Sequence, residues 1–289
     1  MPNRFKYVTP ETGRAILENG TLRWSTPPML NDPFDMQFAF QSRVDRDAVI
    51  AIALEKGWQH HSGELLDRPI NLLGQVIRDF RGRGLNLSRE EFVREFEGPI
   101  LASLDKMKAT MEGFCAMVRA HFENDKILCL SDEPDILLMW AYYASNHTGL
   151  VLSFRDDTHD NPFAMARPVR YVDQVPSLFD DELLSDMLSG YEALDHRSIM
   201  EDVVWTKSNH WAHEREWRIY TGAGRTSASF EDVPFGAEEL SGVIFGARVT
   251  EDYKKEICEL IGGKFPDALL SHAKLRTDAY ALTIEPLSH

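Results

Sequence analysis

No apolar run in the 289-residue sequence approaches the roughly 20 residues of a membrane-spanning helix. The runs it has are strand-sized and lie on either side of a long helix-patterned block. Before the block, Arg4-Phe5-Lys6-Tyr7-Val8 alternates with the period of a strand, Phe5 and Tyr7 on one face and Arg4 and Lys6 on the other. Thr9 then supplies an N-cap for a helix opening on Pro10 and stopping at Asn19-Gly20, and Leu22 to Ser25 reads as a second strand. Residues 45–123 keep a helical period through Val49, Ile52 and Ala53, Leu65 and Leu66, then Leu72, Leu73, Val76 and Ile77. Ser88 with Glu91 forms a capping box ahead of Phe92, Phe96 and Ile100. After the block come strand patterns at 127–131, 150–154, 168–172, 214–220, 243–245 and 279–284. Helices are expected at 136–144, at 180–205, and from the Thr250 cap to Gly262-Gly263. The pattern predicts one α+β domain over 1–289. Its central sheet should be mixed and mainly antiparallel, with 45–123 as a helical insertion.

Composition narrows the function classes. With 31 Lys+Arg against 46 Asp+Glu the chain carries −15, which argues against a surface that coats nucleic acid or an anionic membrane. Cys115, Cys129 and Cys258 stand far apart without CxxC spacing, so neither a zinc knuckle nor a disulfide scaffold is expected. MPNRFKYV lacks an apolar signal core; with the cysteines, this places the expected site of action in the cytoplasm. There is no GxxxxGK(S/T) phosphate loop, no GxGxxG after a strand and no GxSxG elbow.

The densest chemistry runs from Trp205 to Ile219. On a strand, Glu214, Glu216 and Arg218 share a face; paired carboxylates there suit stabilisation of a cationic centre or bonding to sugar hydroxyls, and equally make a solvated face in which Glu216 pairs with Arg218. His210 and His213 next to Glu214 match no zincin spacing, so no metal is expected; either histidine is a candidate general base for a metal-independent nuclease or hydrolase. Trp140 and Tyr143, at i and i+3, lie on one helix face ahead of His147 and Gly149, either as core or as a stacking platform for a ring. In Asn31-Asp32-Pro33-Phe34-Asp35 the Asx side chains either cap a turn or, at a cleft rim, contact a ligand.

Together these motifs resemble a bacterial family known as domain of unknown function 2971. The likeness rests on Lys6-Tyr7, Asn31 to Asp35, Cys129-Leu130-Ser131, Leu138 to Tyr143 with His147 and Gly149, Lys207 with Trp211, Glu214 to Arg218, and Val243 to Gly246. The order strand, helix with Ile16-Leu17, Gly20-x-Leu22, then a late strand with Glu-x-Glu also resembles the ADP-ribosyltransferase fold, although Lys6-Tyr7 stands where that superfamily has His or Arg. This second resemblance implies a split central sheet, NAD as substrate and a macromolecular acceptor. Arg4 or Lys6 would be the early cation, Ser131 or Tyr143 the middle residue, Glu216 the catalytic carboxylate and Glu214 the residue orienting the acceptor. Tyr7, Asn31, Asp32, Trp140, His147 and Lys207 complete the expected nucleotide-binding set. The competing expectation is a non-catalytic module that binds a nucleotide or a protein.

Overall fold

The computed structural model describes residues 3–36, 38, 44–66, 71–156, 161–177, 179–192 and 196–287. In chain order the elements are β1 (Asn3–Val8), α1 (Pro10–Asn19), β2 (Thr21–Ser25), α2 (Arg46–Ser62), α3 (Leu72–Gly82), α4 (Arg89–Phe122), β3 (Asp125–Ser131), α5 (Leu137–Tyr142) and β4 (Leu150–Arg155). They continue as β5 (Arg167–Pro168), β6 (Arg170–Val172), α6 (Asp181–Ser189), α7 (His196–Val204), β7 (Thr206–Ser208), β8 (Glu216–Ala223), β9 (Phe230–Pro234), β10 (Leu240–Phe245), α8 (Glu251–Lys264), β11 (Leu269–Leu275) and β12 (Leu282–Pro286). The fold is α+β, with a mixed, mostly antiparallel central sheet. Among the described residues no helix is long and apolar enough to cross a membrane.

The chain divides into two compact units. One comprises Met1–Met36, His121–Gln174 and Trp205–His289; the other Gln37–Ala120 and Val175–Val204. The helical block read from the sequence supplies most of the second unit. There Asp45 caps α2 through the N–H groups of Asp47 and Ala48, and Gly63, at φ 90°, ends it; Leu65 and Leu66 thus follow the helix instead of extending it. Ser88 and Glu91 form the reciprocal capping box at the start of α4. Phe92 and Phe96, stacked with centroids 4.4 Å apart, anchor that unit's interior with Ile77 and Val49.

The first unit holds the sheet, ordered β12-β11-β10-β4-β1-β3-β2-β9, with β8 paired to β3 and to β5 outside that path. Alternate side chains of its central strands go to opposite cores. Val8, Leu150, Leu152, Phe154, Val243 and Phe245 pack against Ile16 and Leu17 of α1 and Ile257 and Ile261 of α8. Tyr7, Val151 and Ile244 pack against Met139 and Trp140 of α5. Burial on both faces explains why β4 reads as an almost unbroken apolar run. β9 and β11 have no counterpart in the sequence reading: β11 alternates through His272 and Lys274, and both strands are only half-buried.

The ladder breaks where it matters for function. β1 meets β3 at a single pair, Phe5 with Ser131, and β2 meets β3 at a single pair, Ser25 with Ile127. β8 runs beside β3 from Ser131 to Asp125. Continued pairing would put Tyr7 of β1 opposite Cys129. The strands diverge instead, and the Lys6 ammonium donates to the Cys129 carbonyl at 2.8 Å.

β4 starts beside a tight approach of backbone. A Cβ on Gly149 would stand 2.1 Å from the Val8 carbonyl oxygen and 3.1 Å from that of Ala144, both backbone atoms unable to rotate away. Gly149→Ala is expected to cost about 1–3 kcal/mol, the range for overpacking a tight interior. The expected readout is a thermal unfolding midpoint lowered by several degrees; an unchanged midpoint would contradict the close approach.

Candidate active site

A cavity of about 220 Å³ opens in the gap between β1, β2 and β3. Its walls carry Lys6, Asn31, Asp35, Cys129, Tyr143, Lys207, Glu214 and Glu216 among apolar side chains including Met29, Leu30, Leu130 and Met139.

Local structure aims these groups. After β2, Pro27–Met29 forms a 3-10 turn and the chain bends again at Asn31 to Asp35. Asp32 Oδ1 accepts the N–H of Phe34 at 2.9 Å, an Asx turn, and the Asp35 N–H donates to the Asp32 carbonyl at 3.0 Å. Asp35 Oδ1 accepts the N–H of Met36, leaving Oδ2 for the interior. On the opposite side β6 and β7 run parallel with Tyr171 beside Lys207. The chain then enters a 3-10 turn over Asn209–Glu214 and leaves it through Arg215 in the left-handed region, φ 47°. Glu214 therefore belongs to the turn, and β8 begins at Glu216. The expected strand from 214 is shortened because a left-handed residue breaks the pleat.

Five charges meet at the cavity wall, four lining it and Arg218 behind them, all at most 5% exposed. Lys207 Nζ donates to Glu214 Oε2 at 2.5 Å and to Glu216 Oε2 at 2.8 Å, and stands 3.6 Å from Asp35 Oδ2. Arg218 donates from Nε to Glu216 Oε1 at 2.5 Å and from Nη2 to Asp35 Oδ2 at 2.6 Å. The Tyr143 hydroxyl donates to Glu214 Oε1 at 2.5 Å and accepts from the Asn31 amide at the rim. Tyr171 fixes the strand end, its hydroxyl accepting the N–H of Glu216 at 2.8 Å. A solvated charged face was the alternative for Glu214, Glu216 and Arg218. The pairing of Glu216 with Arg218 is present, but the face lies inside the protein.

The electrostatics follow. Burial opposes the Glu216 anion, yet the charges of Arg218 and Lys207 outweigh it and hold the carboxyl well below the usual range. Burial likewise opposes the Lys207 ammonium, and Glu216, Glu214 and Asp35 together raise its pKa above the ordinary lysine value. Burial and the Glu214 carboxylate push the Tyr143 phenol up; burial and then the Glu216 charge do the same to the Cys129 thiol. The surroundings thus favour the anion at Glu216 and the neutral forms of Tyr143 and Cys129.

Residues 139–219 match the model of a family described as a protein of unknown function, DUF2971. No curated protein and no solved structure matches the chain. The matched segment contains Tyr143, Lys207, Glu214, Glu216 and Arg218, whereas Lys6, Asn31, Asp35 and Cys129 reach the same cavity from outside it.

Of the twelve residues expected to bind or act on the nucleotide, Lys6, Tyr7, Asn31, Tyr143, Lys207, Glu214 and Glu216 line the cavity, and five others do not. Trp140 is fully buried, edge-on to Tyr7, its indole N–H donating to the Pro134 carbonyl at 2.8 Å; a stacking platform needs a free ring face, and this ring has none. His147 stacks on Trp140 within the DUF2971 segment, in a left-handed run through Ser145 and Asn146. Arg4 pairs with Asp156 at 2.7 Å and lies over the Trp217 ring. Ser131 donates to the Glu214 carbonyl at 2.8 Å, and Asp32 serves the Asx turn. His210 bonds Ser208, and His213 packs against Trp211 and Tyr142; neither lines the cavity. Asp35 and Arg218 are the members that sequence reasoning left out of the candidate set. The 216/218 alternation hinted at Arg218, and Asp35 closes the same turn motif as Asn31.

Two outcomes are expected. Arg218→Met leaves Glu216 and Asp35 buried with one partner fewer, and should cost about 3–5 kcal/mol in urea unfolding. The acid limb has a fixed sign. Glu216 is depressed in the folded state, so its contribution is complete above the unfolded value of about 4.3 and is lost as pH falls through the folded value. Wild-type stability should fall on acidification below about pH 4, and Glu216→Gln should fall less steeply; parallel curves would contradict the burial of that anion.

Proposed function

We propose that the cavity receives the pyridinium-ribose end of NAD, a nucleotide-type small molecule, and breaks its N-glycosidic bond, passing the ribosyl group to a macromolecular acceptor or to water. The observation that carries this reading is the Glu216 carboxylate, held ionised by two cations at the wall of a partly apolar cavity.

A glycosidase that expels an alcohol needs a carboxylic acid to protonate its leaving group. Glu216 is poorly suited to that, being locked as an anion. A pyridinium leaves differently. The bond from C1′ to the ring nitrogen breaks with both electrons going to nitrogen, and neutral nicotinamide departs without a proton. Positive charge then builds on the ribose, where a fixed carboxylate stabilises it. The acceptor oxygen forms the new bond to C1′ and releases its proton to solvent. Glu214, held by Lys207 and Tyr143, orients the acceptor; Tyr143, Asn31 and Lys6 contact the nucleotide from the remaining walls. The cavity, at about 220 Å³, is below the roughly 300–1,000 Å³ of sites that enclose a whole drug-sized ligand, so it accommodates the reacting end of a dinucleotide and leaves the rest over the rim. The three free thiols fit action in a reducing cytoplasm.

One observation favours a second reading, a non-catalytic nucleotide-binding module: both oxygens of Glu216 already accept bonds from Arg218 and Lys207. Turnover separates the two. Purified protein incubated with NAD should release nicotinamide, and Glu216→Gln should lower kcat/KM about 10²–10³-fold, the scale for removing one preorganised charge-stabilising group. Because the substitution also removes ion pairs, both proteins are assayed well below their unfolding midpoints. A thermal shift with NAD but no nicotinamide favours the binding module; neither effect overturns the NAD reading.

A further inference from the structure

The Lys207 ammonium faces the cavity, yet its bonds go to protein carboxylates. It donates to Glu214 and Glu216 and stands 3.6 Å from Asp35, at 3% side-chain exposure. A lysine so engaged is badly placed to bind a phosphate and well placed to hold two carboxylates in register. Asp35 does the complementary work from the turn after β2, taking Arg218 Nη2 at 2.6 Å while Arg218 grips Glu216.

We propose that Lys207 and Asp35 are positioning residues, an ionic clamp in which Lys207 keeps Glu214 and Glu216 side by side and Asp35 anchors Arg218 against Glu216. That the clamped Glu216 is catalytic rests on the reading above; the clamp itself does not.

Asp35, Glu214 and Glu216 against Lys207 and Arg218 give 2 − 3 = −1 in a cluster taken out of water. Removing the lysine charge makes it 1 − 3 = −2, and a buried site answers excess negative charge by binding a proton. The groups facing this cluster from neighbouring elements make no ion pair that would replace Lys207. Tyr171 from β6 and Tyr143 just after α5 are phenols pushed toward the neutral form, as is the Cys129 thiol of β3. Lys6 of β1 keeps its positive charge at the cavity, but its ammonium donates to the Cys129 carbonyl and not to a carboxylate of the cluster, so it offsets the lost lysine only in part. One carboxyl in Lys207→Met must therefore titrate above its ordinary range.

The sign of the effect follows from linkage. A carboxyl raised in the folded state contributes stability below its unfolded pKa, and that contribution is lost as pH rises through the folded value. The test is thermal unfolding of the full chain from about pH 4.5 to 8, with nicotinamide release from NAD measured on the same samples. The Lys207→Met midpoint should fall progressively further below wild type as pH rises. Lys207→Arg, which keeps the charge, should run parallel to wild type. Lys207→Met with Glu214→Gln restores the count to 1 − 2 = −1 and should remove most of the pH-dependent gap. Turnover by Lys207→Met should rise about tenfold per pH unit on an acid limb absent from wild type and from Lys207→Arg, with KM little changed. Asp35→Asn should lower kcat more than it raises KM.

A pH-independent gap for Lys207→Met overturns the clamp, since a packing role gives no such slope. If Lys207→Met does not fold at neutral pH, the double variant should; a double variant that also fails overturns the clamp. If wild type releases no nicotinamide while the gap widens with pH, the glycosidic reading fails and the clamp stands.

Discussion

Taking five charged side chains out of water is tolerable only while each finds its partners, and this requirement organises the first unit. Lys207 satisfies two carboxylates and approaches a third, and Arg218 satisfies Glu216 and Asp35. Removing either cation leaves buried carboxylates uncompensated, so the positions of the five are mutually determined. The demand extends to the backbone. Arg215 turns left-handed, so that Glu214 at the end of a 3-10 turn and Glu216 at the start of β8 both reach Lys207. Arg215 itself extends to Asp132 and Glu133.

Such a cluster is an inefficient way to stabilise a fold, because well-packed apolar side chains of similar volume do as well or better. Its place on a cavity wall suits a different purpose. In low-dielectric surroundings a carboxylate reverts to the neutral acid unless cations prevent it. Lys207 and Arg218 prevent it, and the apolar side chains of Leu30, Leu130 and Met139 around the opening keep the local field strong.

How much of this was legible in the sequence varies with the range of the interactions involved. The Thr9, Ser88 and Thr250 caps depend on residues a few positions apart, and the structure has all three. The strands buried on both faces were visible as apolar runs. Glu214, Glu216 and Arg218 were visible as a group but not as a buried one, because a charged alternation reads as solvated until its distant partners are known. One of those partners, Asp35, lies 183 positions from Arg218. Trp140 and Tyr143 show the converse ambiguity. Their i, i+3 spacing is the same for a core stripe and for a ligand platform, and only the packing of Tyr7 and His147 against Trp140 assigns it to the interior, leaving Tyr143 alone at the cavity.

The cavity and the charge cluster also depend on each other through the sheet. Where β1 and β2 part from β3, backbone groups of β3 lose the partners that a continuous ladder would give them, and buried groups without partners are costly. Lys6 supplies a donor to the Cys129 carbonyl, which closes one such vacancy with a side chain and leaves the space between the strands open. On the far wall β8 stays paired to β3 from Ser131 to Asp125, so Glu216 and Arg218 project from a strand that cannot shift without breaking its register. On the proposed reading this rigidity matters more than the charge alone. A carboxylate free to move would relax toward its own cations and lose the orientation that makes it stabilise a ribosyl cation more than the bound pyridinium, and only that difference lowers a barrier.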